Sequence, residues 1–514
     1  MNLQRFAGQT AIYGFSTIIS RLLNFILTPI YVNLYSVKVY GIFTYMYSWA
    51  SMANAILAFG METTFFRYLN KYEDKKDKVY NNTFIAVAAM GIVFLLCTIF
   101  FVDTIAAWMQ PGKTIYNKDL ASYVKYFIFI LVIDALAVIP FAKLRADGRP
   151  VRYGMIKFAN ILTFIGFNVL FIFLIPYLIK TGSSFAPFIL EWYRPKWVGY
   201  VFISNLIASI VTLLLLTPEL IKLRFKYDGK LVAEMFSYSF PVLIANISFI
   251  INENLDKIFL GTLLPRNISQ QEIGIYGACC KLAVFMSIFI QAFRLGAEPF
   301  FFSHAKTENA GKTYAHIMNY FVITVSIIFI ALTANIELLK YFIRGSSIEQ
   351  QTLYWSGLNV VPILLFGYVN LGIYMNLSIW YKLSDQTRFG LYISGIGALL
   401  TIILNVIFIP RYSYLASAWT SLIAYATMMV LSYWMGQKRY SIPYNLKKNG
   451  AYLLSSVGIV YLSFVVFHRD IIIGNILLFL FVMITFYIER KEIMANVPES
   501  GFTRFKDTED HSLD

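Results

Sequence analysis

Apolar runs of about 20 residues, each bounded by charges, Gly or Pro, repeat along the whole chain. They lie near 10 to 34, 39 to 61, 83 to 103, 120 to 142, 155 to 179 and 197 to 217, then near 234 to 261, 273 to 303, 314 to 335, 354 to 378, 389 to 409 and 416 to 435. A final pair follows near 450 to 467 and 471 to 488. A hydrocarbon core about 30 Å thick takes a helix of about 20 residues, so this pattern predicts an all-α integral membrane protein with about 14 transmembrane helices. The first run is longer than the apolar core of a signal peptide and has no A-x-A-like cleavage site, so it reads as a retained first span.

Composition sharpens the reading by exclusion. The 514 residues are 58% hydrophobic and 14% charged, with mean hydropathy +0.63, whereas a soluble domain carries about 25% charged residues. An ordinary soluble enzyme is excluded, and loops averaging roughly 15 residues leave no room for a soluble catalytic domain. Cys97, Cys279 and Cys280 all fall in apolar stretches, so no disulfide framework is visible. No Walker A pattern occurs, and His304, His316, His468 and His511 are scattered without metal-ligand spacing.

The chain holds 43 Lys+Arg against 28 Asp+Glu, a net charge of +15 that in a soluble protein would suggest nucleic acid. Its placement points to topology instead, with no nucleic-acid partner expected. With the N-terminus inside, the inner segments hold 26 Lys+Arg and the outer loops 11. Cytoplasmic loops carry such an excess, so both termini are expected in the cytoplasm.

Tyr40-Gly41 and Tyr276-Gly277 stand in similar span-connecting stretches 236 residues apart. This echo suggests two homologous lobes, residues 1–225 with spans 1 to 6 and 226–440 with spans 7 to 12. Residues 441–490 would then hold accessory spans 13 and 14, and 491–514 a cytoplasmic tail.

Charges inside spans are the strongest functional signal, because each costs about 2.5 to 3.5 kcal/mol at mid-bilayer unless it faces a wet interior or a partner. Gly14, Thr17, Arg21, Asn24 and Thr28 form one polar stripe on the first span. Arg21 reads either as a cavity-facing anion site or as the partner of Asp134 in a neighbouring span. Span 7 carries Ser248, Asn252 and Asp256 on one face, with Glu253 and Lys257 at i, i+4 beside it. Span 8 aligns Ser287, Gln291, Arg294 and Glu298, where Arg294 and Glu298 could equally form a local ion pair. Asp256 and Lys257 could be interfacial, and Lys125 and Lys157 are expected to snorkel to headgroups.

Six span cations (Arg21, Lys125, Lys157, Lys257, Lys281, Arg294) face four acids (Asp134, Glu253, Asp256, Glu298), a net basic interior. A guanidinium presents a planar fork of donors suited to phosphate oxygens, so a diphosphate is a natural counterion for Arg21 and Arg294, with Asn24 and Gln291 beside them. The acids Glu253, Asp256, Glu298 and Asp134 are the candidates for coupling to a proton or sodium gradient; no other cofactor is expected. Tyr45, Tyr368 and Tyr374 could present a ring and a hydroxyl to a sugar.

The segment Glu253-Asn254-Leu255-Asp256-Lys257-Ile258-Phe259-Leu260-Gly261, with Ile273-Gly274-Ile275-Tyr276, Gln291-Ala292-Phe293-Arg294 and Glu298-Pro299-Phe300-Phe301, resembles the Wzx-type polysaccharide flippases of the MOP superfamily. The Tyr40-Gly41 region and the span count fit the same family. The resemblance implies two pseudo-symmetric six-helix lobes around a central cavity that alternates between inward-open and outward-open states. Its implied cargo is a polyprenyl-diphosphate-linked oligosaccharide turned across the cytoplasmic membrane for surface polysaccharide biosynthesis, with a polysaccharide polymerase and assembly proteins as partners. The lipid II flippases are similar in span number but carry more arginines in the first lobe. Two rivals are weighed beside this: a multidrug or ion antiporter of the same superfamily, which calls for an acidic cavity, and a membrane polysaccharide polymerase or ligase. The latter needs a catalytic outer loop, and the longest here, about 180 to 196, has Glu191 and Arg194 but no catalytic constellation.

Overall fold

A computed structural model describes residues 25–109, 118–224, 226–265, 267–304, 309–384 and 386–495. Among these residues the regular structure is helical. The helices used below are α1 (Phe25–Leu34), α2 (Val37–Ala58), α3 (Met61–Lys71), α4 (Lys76–Ile99), α5 (Val102–Met109), α6 (Lys118–Ala146) and α7 (Pro150–Lys180). They continue with α8 (Gly199–Leu215), α9 (Gly229–Leu263), α10 (Ser269–His304), α11 (Ala310–Ala334), α12 (Ile348–Leu383), α13 (Arg388–Arg439), α14 (Leu446–Val466) and α15 (Ile471–Ala495).

Ten of the described helices are long and apolar enough to cross a membrane. Every apolar run read from the sequence overlaps a helix, and ten differs from about 14 for local reasons. The described part of α1 and the 17-residue α8 are short, α2 is not among the ten, and the runs at 389 to 409 and 416 to 435 merge into the 52-residue α13. That helix breaks its dihedrals at Ser413 (φ 49°, ψ −137°), three residues after Pro410. A backbone with φ 49° cannot continue a right-handed helix, so the kink falls at Ser413.

Local chemistry sets the other boundaries. Ser36 caps α2, accepting from the Val39 N–H, and α2 ends where Phe59 and Gly60 both take left-handed backbone. Asp228 caps α9, accepting from the Lys230 and Leu231 N–H groups at 3.1 and 3.2 Å. At 1.5 Å per residue the 35 residues of α9 span roughly 52 Å, so its ends reach past a hydrocarbon core of about 30 Å. Within α7, a π turn at Leu170–Leu174 comes just before Pro176, and the wider turn accommodates the missing N–H.

The chain divides into two compact units, one formed by Met1–Ala315 with Lys340–Pro443 and one by His316–Leu339 with Tyr444–Asp514. In the first, α2 packs against both α9 and α10. A Cβ on Gly41 would lie 1.8 Å from the Gln270 carbonyl oxygen and one on Gly274 2.1 Å from that of Val37, so only glycine lets these backbones touch. Gly277 sits against Thr44 in the same crossing, so both Tyr-Gly steps of the sequence echo lie on helices that meet. Met61, Phe65, Val79, Tyr80, Val87, Ile139 and Met235 form a core joining α3, α4 and α6 to the start of α9. In the second unit, Lys448 and Tyr452 both bond the buried Glu489 carboxylate at 2.7 Å, tying α14 to α15.

Candidate functional site

The charges flagged on span 7 are buried. Asp256 is 4% exposed on α9; its Oδ1 lies 2.8 Å from the Lys257 Nζ and its Oδ2 accepts the Tyr276 hydroxyl of α10 at 2.7 Å. Lys257 also donates to the Glu253 backbone carbonyl at 3.0 Å, and its ammonium sits 5.5 Å from the Tyr276 ring centroid. Lys257 therefore reaches Glu253 through that residue's main-chain carbonyl and is paired with the carboxylate of the adjacent Asp256. These groups are not held at an exposed headgroup boundary, because the crossing of α9 with α10 encloses them. Glu253 is half-buried one turn away.

Asn252, on the same helix, faces α13. Asn252 accepts from the Thr401 hydroxyl at 2.9 Å, and the Tyr425 hydroxyl donates to the Asn252 carbonyl at 3.2 Å. Ser248 bonds its own helix at Ile244. Buried polar groups require such partners, so this face is committed to packing.

Arg294 behaves differently. Its side chain is exposed and lines a narrow cleft between α10 and α12 with Ile290, Phe301, Met375, Asn376 and Lys382. Asn376 is 6% exposed and its Nδ2 has no hydrogen-bond partner. Lys382 and Asn376 are site residues that the sequence reading missed. Lys382 follows an apolar run as any loop cation would, and the i, i+6 separation of the two is the one sequence signal that they share a helix end. Gln291, half-buried, donates to Ser287 Oγ at 3.2 Å and turns along its own helix. Arg21 and Asn24, and the side chain of Glu298, lie outside the described residues.

Asp134, on α6, is exposed and has Ser209 of α8 and Lys157 of α7 as polar neighbours. Lys157 does not snorkel freely: it is half-buried, with its ammonium 4.3 Å from the Phe141 ring centroid. Beside this pair, Asn205 donates to the Tyr47 hydroxyl at 3.1 Å, and Asn160 bonds Thr212 Oγ1 at 2.9 Å. The region thus joins α2, α6, α7 and α8 by polar contacts. The tyrosines offered for a sugar are placed otherwise: Tyr45 and Tyr374 are 2% and 6% exposed, Tyr45 against Gly261 and Tyr374 against the Tyr381 hydroxyl. Tyr368 is half-buried and stacks on Tyr425.

At the end where Lys+Arg concentrate, ion pairs join α3 and α4 to α9. Lys71 meets Glu234 at 3.2 Å, the Tyr72 hydroxyl donates to the same carboxylate, and Lys78 pairs with Asp228. The Lys78 ammonium and the Leu231 N–H hold the Asp228 carboxyl below its usual range. Arg152 reaches the buried Glu219 at 3.0 Å, and Arg145 pairs with Glu62.

Comparison with known proteins gives this geometry a setting. Residues 7–303 match the family described as polysaccharide biosynthesis protein, and residues 241–407 match the MatE family. A protein of the Lsg locus of Haemophilus influenzae is 21% identical over 304 residues, which is 58% of this chain and 66% of that relative, just under two thirds of its length. Among solved structures, the lipid II flippase MurJ in its inward closed conformation superimposes with a TM-score of 0.69 at 14% identity, covering 94% of this chain and 100% of that one. An inward-facing multidrug resistance MATE family transporter of the MOP superfamily gives 0.59 at 11% identity, covering 84% and 94%. At these identities the likeness is one of fold.

Proposed function

The chain belongs to the polysaccharide biosynthesis protein family and has the fold of MOP-superfamily transporters, and from that premise we propose that it flips a polyprenyl-diphosphate-linked oligosaccharide across the cytoplasmic membrane. It works by alternating access between lobes 1–225 and 226–440, with both termini cytoplasmic, and it transports rather than catalyses. The observation that supports this reading best is Arg294, an exposed guanidinium in a cleft that also holds Lys382, whereas Asp256 and Lys257 of α9 are paired with each other. An always-charged fork suits a diphosphate in a way that a cationic drug would not match. Arg21 is proposed as the matching group on the first span, with Asn24 and Gln291 as neutral neighbours.

Coupling to a proton or sodium gradient is assigned to the acids. Asp134, exposed beside Lys157, is better disposed for it than Asp256, which is already paired and hydrogen-bonded. A polysaccharide polymerase acting on the flipped product is the expected partner.

The test is export of surface glycan in cells carrying Arg294→Ala or Arg21→Ala. A charge-assisted hydrogen bond contributes about 1.5 to 3 kcal/mol, so each change should lower export roughly 10- to 100-fold while the protein still inserts. Lysine at either position should recover only part of it, lacking the fork. Wild-type export from both alanine variants would overturn the reading.

A further inference from the structure

A second cavity lies at the other end of the helices, where α1 ends, α7 ends and α8 begins. Its volume is about 310 Å³. The wall is apolar and aromatic, built from Leu34, Ile172, Pro176, Ile179 and Tyr193, and two exposed lysines, Lys180 and Lys196, belong to its lining. In sequence this loop holds no catalytic constellation. Folded, it is an ordered structure. Arg194 makes a two-pronged bond to Asp119 at 2.7 and 2.8 Å, and the Tyr193 hydroxyl donates to the Phe171 carbonyl at 2.8 Å. Tyr200 is sandwiched between the Phe171 and Tyr193 rings, with centroids at 4.8 and 5.2 Å.

Two further features converge on the cavity. Phe171 and Ile172 belong to the π turn of α7, and such turns are enriched at functional sites. Lys196 adopts a left-handed backbone, φ 56°, that a non-glycine residue holds only where its surroundings impose it. The ring stack makes the cavity wall rigid, and the strained turn fixes one lysine at its edge.

An apolar chamber with cations in its lining, at a span end rich in Tyr and Trp, matches an amphipathic anion. We propose that this cavity holds one anionic phospholipid of the surrounding bilayer, with an acyl chain against Ile172, Pro176 and Ile179 and the headgroup phosphate between Lys180 and Lys196. A zwitterionic lipid would fill the apolar wall equally well but brings no net charge to the lysines, so the site selects by headgroup. Each lysine near a membrane surface contributes about fivefold to the affinity for an anionic headgroup.

Native mass spectrometry of the full chain, purified in detergent and titrated with phosphatidylglycerol or phosphatidylcholine, tests this. The wild type should retain one phosphatidylglycerol in preference to phosphatidylcholine. Lys180→Ala with Lys196→Ala should weaken that binding roughly 25-fold. Ile179→Trp, which fills the chamber and leaves both lysines, should abolish it. Equal retention of the two lipids by the wild type, unchanged phosphatidylglycerol retention in either variant, or displacement of the lipid by a soluble acidic oligosaccharide would each overturn the proposal. None of these outcomes depends on what the protein transports.

Discussion

The Tyr276 hydroxyl donates to Asp256 at 2.7 Å while the Lys257 ammonium closes on the other oxygen of the same carboxylate at 2.8 Å. One buried acid therefore joins α9 to α10 and neutralises the cation beside it. Removing one partner of such a pair strands the other, at a cost of about 3 to 5 kcal/mol, whereas replacing both by apolar groups of similar size is close to neutral. Asp256→Asn should lower the melting temperature of the detergent-solubilised protein sharply. Asp256→Leu combined with Lys257→Met should restore most of the loss. Equal destabilisation by the single and double variants would show that the pair is not the source of the effect.

Tyr276→Phe removes only the hydroxyl. It should cost about 1 to 3 kcal/mol, the price of leaving a charged acceptor one donor short. Thermal unfolding of this variant beside the wild type measures it, and no shift would mean that Lys257 alone satisfies the carboxylate.

Asp228 gives a pH signature. Its carboxyl titrates below its unfolded range because Lys78 and the α9 N-terminus favour the ionised form. The stabilisation is therefore fully present above the unfolded Asp pKa of about 3.9 and disappears as pH falls through the lower folded value. Asn caps a helix as well as Asp does, so Asp228→Asn removes the charge and keeps the cap. The stability difference between wild type and Asp228→Asn should be constant near neutral pH and shrink only below about pH 4. A difference that persisted unchanged into stronger acid would assign it to something other than ionisation.

The α2 to α10 crossing depends on absent side chains. A methyl at Gly41 or Gly274 would meet backbone oxygen at 1.8 or 2.1 Å, and backbone cannot swing aside. Gly41→Ala and Gly274→Ala should each lose at least about 1 to 3 kcal/mol or fail to accumulate in the membrane. Gly166, within α7, has nothing within 4 Å of the added carbon, so Gly166→Ala should be neutral or stabilising by about 0.5 to 1 kcal/mol. Melting curves of the three variants decide it; parity among them would refute the close-contact account.

The ion pairs joining α3 and α4 to α9 bear on the proposed alternation of lobes. Lys71 and Glu234 are each about half exposed, so their attraction in static terms is worth only about 0 to 1 kcal/mol. If the lobes separate here during transport, a Lys71→Cys/Glu234→Cys protein cross-linked by a short thiol reagent should lose glycan export and regain it on reduction. Export that continues through the cross-link would place the movement elsewhere.

Hydropathy alone determined the all-helical membrane class and the location of every apolar run, because a bilayer forces each spanning segment to satisfy its own backbone along roughly 20 residues. The sequence also pointed to Arg294 and to the buried charges of span 7, because ionised groups at lipid depth are too costly to be incidental. Only the tertiary structure decided what each of the described charges meets. Asp256 meets Lys257 and Tyr276, one from its own helix and one 20 residues away, whereas Arg294 lines a cleft with Lys382 and Asn376, on a helix about 80 residues further on. Such choices rest on how helices cross, set here by backbone contact at Gly41 and Gly274 and by the break at Ser413. A periodic pattern records which face of a helix is apolar. It carries no information on which other face will meet it, and that meeting decides whether a charge becomes part of a core or part of a site.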